Sequence, residues 1–162
     1  MDRLDYISIE KAKAEKVIAS LNQLLADFQI CYTNMRGFHW NVTGRRFFSL
    51  HKQFEDLYND LADKIDEIAE RILMLGACPE NRFSKYLEIS NIQEITDVSC
   101  DEKILGYILD SYKDLIKAQR QTINFAEEAQ DLVTADLLTT YLSDQEKSVW
   151  MITALMTENC KI

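Results

Sequence analysis

A stripe of apolar residues at intervals of three and four constrains this chain more than any other feature. Its members are Leu50, Phe54, Leu57, Leu61, Ile65, Ile68, Ile72 and Leu75. Residues at this spacing share one side of an α-helix and cover about a third of its surface. The stripe predicts a helix from about Arg46 to Gly76, because glycine suits the position after a helix and Pro79 follows shortly.

Similar periodicity predicts three further long helices, in a chain of 162 residues that contains only four glycines and one proline. One runs from about Ile7 to His39, one begins near Asp101 with Asp101 or Ser99 as N-cap, and one begins near Leu132. So few helix breakers favour long helices over a sheet.

A short amphipathic segment at about 82–89 lies in the long connection between the second and third long helices. We therefore expect a single all-α domain over residues 1–162, built as a four-helix bundle. The periodicity alone does not distinguish between the known kinds of four-helix bundle.

Net charge and hydropathy limit the function. Acidic residues outnumber basic ones by 27 to 18, which gives a formal charge of −9. Such a chain repels nucleic acid at long range and attracts cations. No run of about 18 apolar residues and no secretory signal pattern is present, so we expect no membrane span.

The four cysteines are scattered along the chain, at Cys31, Cys78, Cys100 and Cys160. They form no CxxC pair and no zinc-like spacing. We interpret them as reduced thiols that mostly fill space, as in a cytoplasmic protein.

The second predicted helix carries potential metal ligands on a flank beside its apolar stripe. His51 and Glu55 are one helical turn apart, and so are Asp66 and Glu70. Small or apolar residues accompany them, namely Tyr58, Ala62, Ala69 and Leu73, which suggests a second packing surface. The opposite side is predicted to be an ordinary solvated face, formed by Lys52, Asp56, Asn59, Asp60, Asp63 and Glu67.

The two ligand pairs are too far apart to share an ion within one chain. Eleven residues separate Glu55 from Asp66, an axial rise of about 16 Å. If the helix packs antiparallel on a second copy, His51 and Glu55 of one chain meet Asp66 and Glu70 of the other. The helix geometry then predicts two equivalent intersubunit sites about 22 Å apart.

His39 is expected to join this group. It ends the first long helix, and a short turn through Gly44 leads back beside the second helix, where His51 lies. These are the two histidines of the chain. Imidazole together with several carboxylates is a ligand set suited to iron and similar divalent ions.

Several ordered segments resemble the signature of the Dps family (DNA-binding proteins from starved cells). The segments are Phe38-His39-Trp40-Asn41-Val42-Thr43-Gly44, Phe47-Phe48-Ser49-Leu50-His51-Lys52-Gln53-Phe54-Glu55, Asp66-Glu67-Ile68-Ala69-Glu70-Arg71, Asp131-Leu132-Val133-Thr134-Ala135-Asp136-Leu137-Leu138 and Gln145-Glu146-Lys147-Ser148-Val149-Trp150-Met151. The resemblance covers nearly the whole chain. It departs from the common pattern at Glu55, where many members carry Asp.

The resemblance implies a ferritin-like four-helix bundle, with a short helix in the middle connection, that assembles into a hollow dodecamer. Its ferroxidase sites lie at two-fold interfaces, which assigns His39, His51 and Glu55 to one subunit and Asp66 and Glu70 to its neighbour. It further implies oxidation of Fe(II) to Fe(III), typically by hydrogen peroxide, storage of the ferric mineral, and protection against oxidative stress.

The resemblance also suggests roles for residues near the site and the pores. Trp40 matches a family tryptophan beside the site and is a candidate sacrificial electron donor. Asp136 and Glu127 are the candidates for an acidic iron-entry pore, ahead of Asp131. Arg71 is interpreted as an ion-pair partner, and Trp150 as a core or interface residue.

Two other functions remain open at this point. One is a DNA-compacting shell protein with secondary iron chemistry, but neither 1–10 nor 158–162 is a lysine-rich arm, so DNA binding is not expected. The other is a helical interaction module without metal, which would have no reason to place His39 and His51 at this spacing. The sequence does not decide between peroxide and oxygen as the oxidant.

Overall fold

A computed structural model describes residues 3–157 as an all-α bundle. Its helices are α1 (Arg3–Ile7), α2 (Lys11–Asn41), α3 (Phe47–Met74), α4 (Phe83–Ile89), α5 (Asp101–Glu128) and α6 (Leu132–Met156). The four long helices are α2, α3, α5 and α6, and α4 is the short helix in the middle connection. The predicted fold class is therefore confirmed.

The first helix boundary differs from the prediction of one helix beginning near Ile7. Ser8 has a φ of 57° and stops α1, and the Ile9 amide then donates to the Leu4 carbonyl at 3.2 Å. This is the hydrogen bond of a Schellman C-cap. The long helix begins three residues later, at Lys11.

Two further helix ends use the same type of cap. Gly76 has a φ of 85°, and the next amide, of Ala77, donates back to Ile72 at 3.2 Å, which confirms the predicted stop of α3. Gln130 plays this part after α5, with a φ of 56°. The N-cap of α5 is Cys100, so the prediction of Asp101 or Ser99 at that position was wrong by one residue.

The apolar stripe of α3 faces the core, where α2 packs against α3 and α5, and α5 packs against α6. The opposite side of α3 is not the uniformly solvated face that the sequence predicted. Lys64 is buried there, and its Nζ atom contacts both carboxylate oxygens of Asp60 at 2.6 Å. Tyr141 of α6 donates to Glu67 at 2.5 Å. Part of this face is therefore covered by α6.

The connection after α2 positions the candidate site. The Thr43 amide donates to the Ser99 carbonyl at 3.0 Å, and Thr43 forms a parallel bridge with Cys100. These contacts hold the α2–α3 turn against the start of α5. Within residues 3–157, no helix is both long and apolar enough to cross a membrane.

Candidate metal centre

The two histidines lie face to face where α2 ends and α3 begins. The ring centroids of His39 and His51 are 3.8 Å apart, and the ring planes differ by 21°. Gly44, with a φ of 112°, lies in the turn between the helices, in a backbone region that L side chains rarely adopt. The expected approach of His39 to His51 is thus present within a single chain.

Each histidine is held by the backbone of the other. Nδ1 of His39 lies 2.7 Å from the His51 carbonyl oxygen, and Nδ1 of His51 lies 2.8 Å from the His39 carbonyl oxygen. A carbonyl oxygen only accepts hydrogen bonds, so each Nδ1 atom carries the proton. In the neutral rings, the Nε2 atoms then keep their lone pairs, which is the form that binds a metal ion.

One of these hydrogen bonds also satisfies a helix end. The last four carbonyl groups of an α-helix have no partner inside the helix. The carbonyl of His39 belongs to this set in α2, because the Thr43 amide donates to Ser99 instead. The Nδ1–H group of His51 donates to this carbonyl instead of a backbone amide. The histidine geometry is therefore part of how α2 ends.

Aromatic rings and one carboxylate surround the histidine pair. The Tyr58 ring meets His39 edge-on at a centroid distance of 5.3 Å, and the Phe47 ring lies 5.0 Å from that of His51. Glu55 follows His51 by one turn, and its Oε2 atom lies 3.3 Å from Nζ of Lys52. Both histidines are half-buried. This half of the site therefore combines two imidazoles, two neighbouring aromatic rings and one carboxylate.

Asp66 and Glu70 lie farther along α3, with exposed side chains. Among residues 3–157, no three His, Cys, Asp or Glu side chains are grouped so that they could hold one metal ion. The structure brings His39, His51 and Glu55 to one end of α3 and leaves Asp66 and Glu70 towards the other.

Arg71 next to Glu70 forms an ion pair, as predicted, and its partner is Asp131. The Nη2 atom lies 2.6 Å from Oδ1 of Asp131, and Nε donates to the Thr134 hydroxyl at 2.8 Å. Asp131 also caps α6 by accepting from the Thr134 amide. All three side chains are buried. Asp131 therefore has a structural role, and its candidacy as a pore residue was wrong.

The start of α3 has a second electrostatic anchor. Nε of Arg46 lies 2.8 Å from Oδ2 of Asp101, the first residue of α5. The hydrogen bond from the guanidinium lowers the pKa of the Asp101 carboxyl, and the same contact raises the pKa of Arg46. The pair joins the histidine end of α3 to α5.

Trp40 is 64% exposed, and its ring contact is with the Arg36 guanidinium, 4.9 Å from the ring centroid. The phenyl ring against His39 is instead that of Tyr58, a residue that the sequence pattern predicts only as part of the packing flank. Tyr32, Arg36 and Trp40 lie at successive turns of α2. This spacing could have predicted that the three side chains contact one another.

The remaining candidates lie on the surface of the single chain. Glu127 and Asp136 are exposed, as pore residues need to be. Trp150 is 66% exposed, so it is not a core residue of this chain. Cys31 is buried, while Cys78 and Cys100 are exposed, so among the three cysteines within residues 3–157 the space-filling interpretation holds for Cys31 alone. Cys160 and the segment 158–162 lie outside the described residues.

Comparisons with known proteins identify the family of this chain. Residues 18–160 match the ferritin-like domain family. The chain is 44% identical to the DNA protection during starvation protein of Porphyromonas gingivalis, over 96% of this chain and 98% of that protein. It is 38% identical to DNA protection during starvation protein 2 of Bacillus anthracis, over 89% and 99% of the two chains.

Solved structures give the same result. The Dps protein of Vibrio cholerae superposes with a TM-score of 0.90 at 41% identity, over 92% of this chain and 94% of that one. It is described as a member of a broad superfamily of ferritin-like diiron-carboxylate proteins. The Dps protein of Bacillus brevis superposes with a TM-score of 0.88 at 32% identity, over 92% and 100% of the chains. The chain therefore belongs to the Dps family of ferritin-like proteins.

Proposed function

We propose that this protein is a ferroxidase that stores iron. The observation that carries the proposal is the histidine pair, in which both Nδ1 atoms are committed to backbone carbonyls and both Nε2 atoms stay available to a cation. Glu55 adds a carboxylate one turn away. Imidazole and carboxylate together suit ferrous iron, and carboxylates favour the ferric ion that forms from it.

The site is completed by a second copy of the chain. Asp66 and Glu70 are exposed, and they lie on the flank of α3 that carries the half-buried Tyr58, Ala62 and Ala69. Packing this flank against the same flank of a two-fold mate sets Asp66 and Glu70 of the mate against His39, His51 and Glu55. In the dodecamer that we propose, every such interface holds two sites.

The proposed reaction oxidises two ferrous ions with one hydrogen peroxide. Each iron gives one electron, the O–O bond breaks, and two water molecules join the products as ferric oxyhydroxide while four protons are released. Passing both electrons to one peroxide avoids release of the hydroxyl radical, which connects iron storage with protection against oxidative stress. Glu127 and Asp136 are the proposed acids of the iron-entry pore, and the particle is proposed to be cytoplasmic.

A direct assay is anaerobic loading with Fe(II), followed by peroxide or oxygen, with the near-ultraviolet ferric absorbance as the readout. We expect faster oxidation than in buffer, and faster oxidation with peroxide than with oxygen. His51→Ala and Asp66→Ala are expected to lose most of this acceleration. A rate equal to that of buffer in the unchanged protein would refute the ferroxidase proposal.

Mixed chains test whether the site is shared between subunits. Glu55→Ala and Asp66→Ala chains each lack one half of every site, so particles of either variant alone are expected to be inactive. In particles reassembled from equal amounts, half of the two-fold interfaces pair unlike chains, and one of the two sites there is complete. About a quarter of the unchanged activity should return. No recovery, with particles of normal mass, would contradict a shared site.

The names of the relatives favour DNA protection as a second function. DNA can be protected either by a protein that binds it directly or by one that removes iron and peroxide. We propose the latter, because a chain with a formal charge of −9 repels nucleic acid. A gel shift of plasmid at low salt and neutral pH tests this choice. Strong retardation would favour a DNA-compacting protein with secondary iron chemistry.

A further inference from the structure

Phe48, in the first turn of α3, is the most exposed of the large apolar residues within 3–157, at 88%. Its ring meets that of Phe47 edge-on at a centroid distance of 5.4 Å, and the Phe47 ring lies 5.0 Å from that of His51. Phe48 therefore lies beside the histidine half of the proposed site, and its own chain leaves most of it uncovered.

A second exposed apolar side chain borders the other half of the site. Leu73 is 44% exposed and lies close to the end of α3. It follows Asp66 by seven residues, just as Phe48 precedes Glu55 by seven residues. Seven residues make almost two full turns of an α-helix, so Leu73 shares a face with Asp66, and Phe48 shares one with Glu55. Each half of the site thus has an exposed apolar residue on its outer side.

The antiparallel packing of two α3 helices brings these apolar residues together. In that arrangement Glu55 lies at the level of Asp66 of the mate. The equal spacing then sets Phe48 at the level of Leu73 of the mate. Within one chain, Phe48 and Leu73 are 25 residues apart along α3, a distance of about 37 Å. A contact between them therefore has to join two chains.

Charge favours this arrangement over a parallel one. Lys52 lies on the histidine half, with its Nζ atom 3.3 Å from Glu55. Asp66 and Glu70 lie on the other half, with exposed side chains. Antiparallel packing sets the lysine of each chain near these acids of the other, whereas parallel packing would set the acids of both chains against each other.

We propose that Phe48 of one subunit packs against Leu73 of its two-fold mate and closes the proposed iron site to bulk water. Apolar side chains around a metal site limit the access of solvent, and changes in these surroundings weaken metal binding. Since it rests on the proposed two-fold site, the contact occurs twice at every interface, once beside each metal position.

Cross-linking tests the contact without iron. Phe48→Cys and Leu73→Cys are combined in a chain whose Cys78, Cys100 and Cys160 are changed to serine, and assembled particles are treated with a short bismaleimide. We expect covalent dimers on a denaturing gel, and a link between positions 48 and 73 after digestion. Each single variant should give no such dimers, because two copies of either position lie about 37 Å apart across the interface.

Two results of the cross-linking would overturn the proposal. One is a double variant that forms particles of normal mass without covalent dimers. The other is an equal yield of dimers in either single variant, because the link would then not depend on the pairing of positions 48 and 73.

Metal release tests the closure. Zn(II), which has no redox chemistry, is bound to assembled particles, and an excess of a coloured chelator removes it. Ions that His51→Ala particles also bind are subtracted. Phe48→Ala and Leu73→Ala should each release zinc on the order of tenfold faster than the unchanged protein, as for other losses around a metal site. Phe48→Leu should keep slow release because it keeps an apolar contact. Phe83→Ala, at an exposed phenylalanine of α4, should have no effect.

Equal release rates in Phe48→Ala, Leu73→Ala and the unchanged protein would overturn the closure. The cross-link and slow zinc release, found together with no iron oxidation, would refute the ferroxidase proposal and leave the contact standing. Rapid iron oxidation in particles whose positions 48 and 73 do not cross-link would refute the contact and leave the ferroxidase proposal standing.

Discussion

The two ends of α3 carry the two halves of the proposed site, and they are built differently. At the beginning, His39 and His51 are fixed by each other's carbonyl groups and by aromatic neighbours. Towards the other end, Asp66 and Glu70 are exposed side chains without such support. At this end the contacts of Arg71 with Thr134 and Asp131 anchor the helix, whereas the two candidate ligand side chains are not anchored.

The difference shows how a proposed shared site can have one half whose geometry is fixed within a chain and a second half that depends on assembly. The half that sets the tautomer of the ligands is complete inside one chain, because it also serves as the end of α2. The half that supplies more charge is presented on a surface, and in the proposed arrangement it gains its geometry from contact with another copy. The following changes test this contrast, beginning with the largest expected effect.

Arg71→Ala should produce the largest loss of stability, because it leaves the Asp131 carboxylate buried and without its cation. Breaking a buried ion pair in this way costs about 3–5 kcal/mol. Urea unfolding of the variant and the unchanged protein measures the difference. Arg82→Ala is a matched control, since the Arg82–Glu80 pair has an exposed guanidinium and should leave the midpoint unchanged. Equal midpoints for all three proteins would show that Arg71 does not anchor this end of α3.

His39→Ala and His51→Ala should each slow iron oxidation on the order of 100-fold. Loss of a group that merely supports a metal ligand costs about 10- to 100-fold, and we expect loss of a ligand itself to reach the upper end of that range. Each change removes one ligand ring, while the backbone carbonyl that holds the other ring stays in place. In the proposed site both rings serve one metal centre, so loss of either already disables it, and the double variant should be little worse than either single one. Initial rates of ferric absorbance give all three values. Multiplicative effects of the two changes would mean that the rings act independently.

The Arg46–Asp101 pair should make stability depend on pH at the histidine end. The pKa of Asp101 is lowered in the folded chain, so its contribution is present above the unfolded value of about 3.9 and is lost as the pH falls through the folded value. For a partly exposed pair this amounts to about 1 kcal/mol or less. The stability difference between the unchanged protein and Asp101→Asn should shrink between pH 7 and pH 3. A constant difference would contradict this assignment.

Lys52→Gln should have the smallest effect, and it should be favourable. Nζ of Lys52 lies 3.3 Å from Glu55 and 2.6 Å from Asp56, so its charge competes with a cation for these acids. We expect Fe(II) affinity to rise about twofold at low salt and less at high salt. Lys85→Gln, which breaks a similar pair with Glu88 on α4, serves as the control. A fall in affinity would show that Lys52 supports Glu55 instead.

Much of this architecture could be predicted from local sequence patterns. The stripe from Leu50 to Leu75 and the stop at Gly76 identify α3 because a helix end and an apolar face depend on residues close in sequence. The approach of His39 to His51 was also predictable, since a short turn joins the two helices. Glu55, Asp66 and Glu70 were candidates from their one-turn spacing with other ligands on α3, and the family resemblance implies the same set.

Other features depend on distant residues and were not predictable in this way. Asp131 was the weakest of the three candidate pore acids, and its burial beside Arg71 depends on how α6 packs against α3. Lys64 and Glu67 belong to a face that α6 partly covers. The cap at Ser8 was missed because serine rarely adopts a positive φ. The carbonyl acceptors of the two imidazoles carry no sequence signal, because every residue has a carbonyl group.

The placement of the ligand pairs at opposite ends of α3 has a consequence for the order of events during biosynthesis. Under the proposed arrangement, a newly made chain can fold completely and still lack a working site. Oxidation of iron then begins only after chains have met, when a shell is being formed around the product. In the proposed arrangement, the timing of mineral growth is thus set by the distance between the two ligand pairs along one helix.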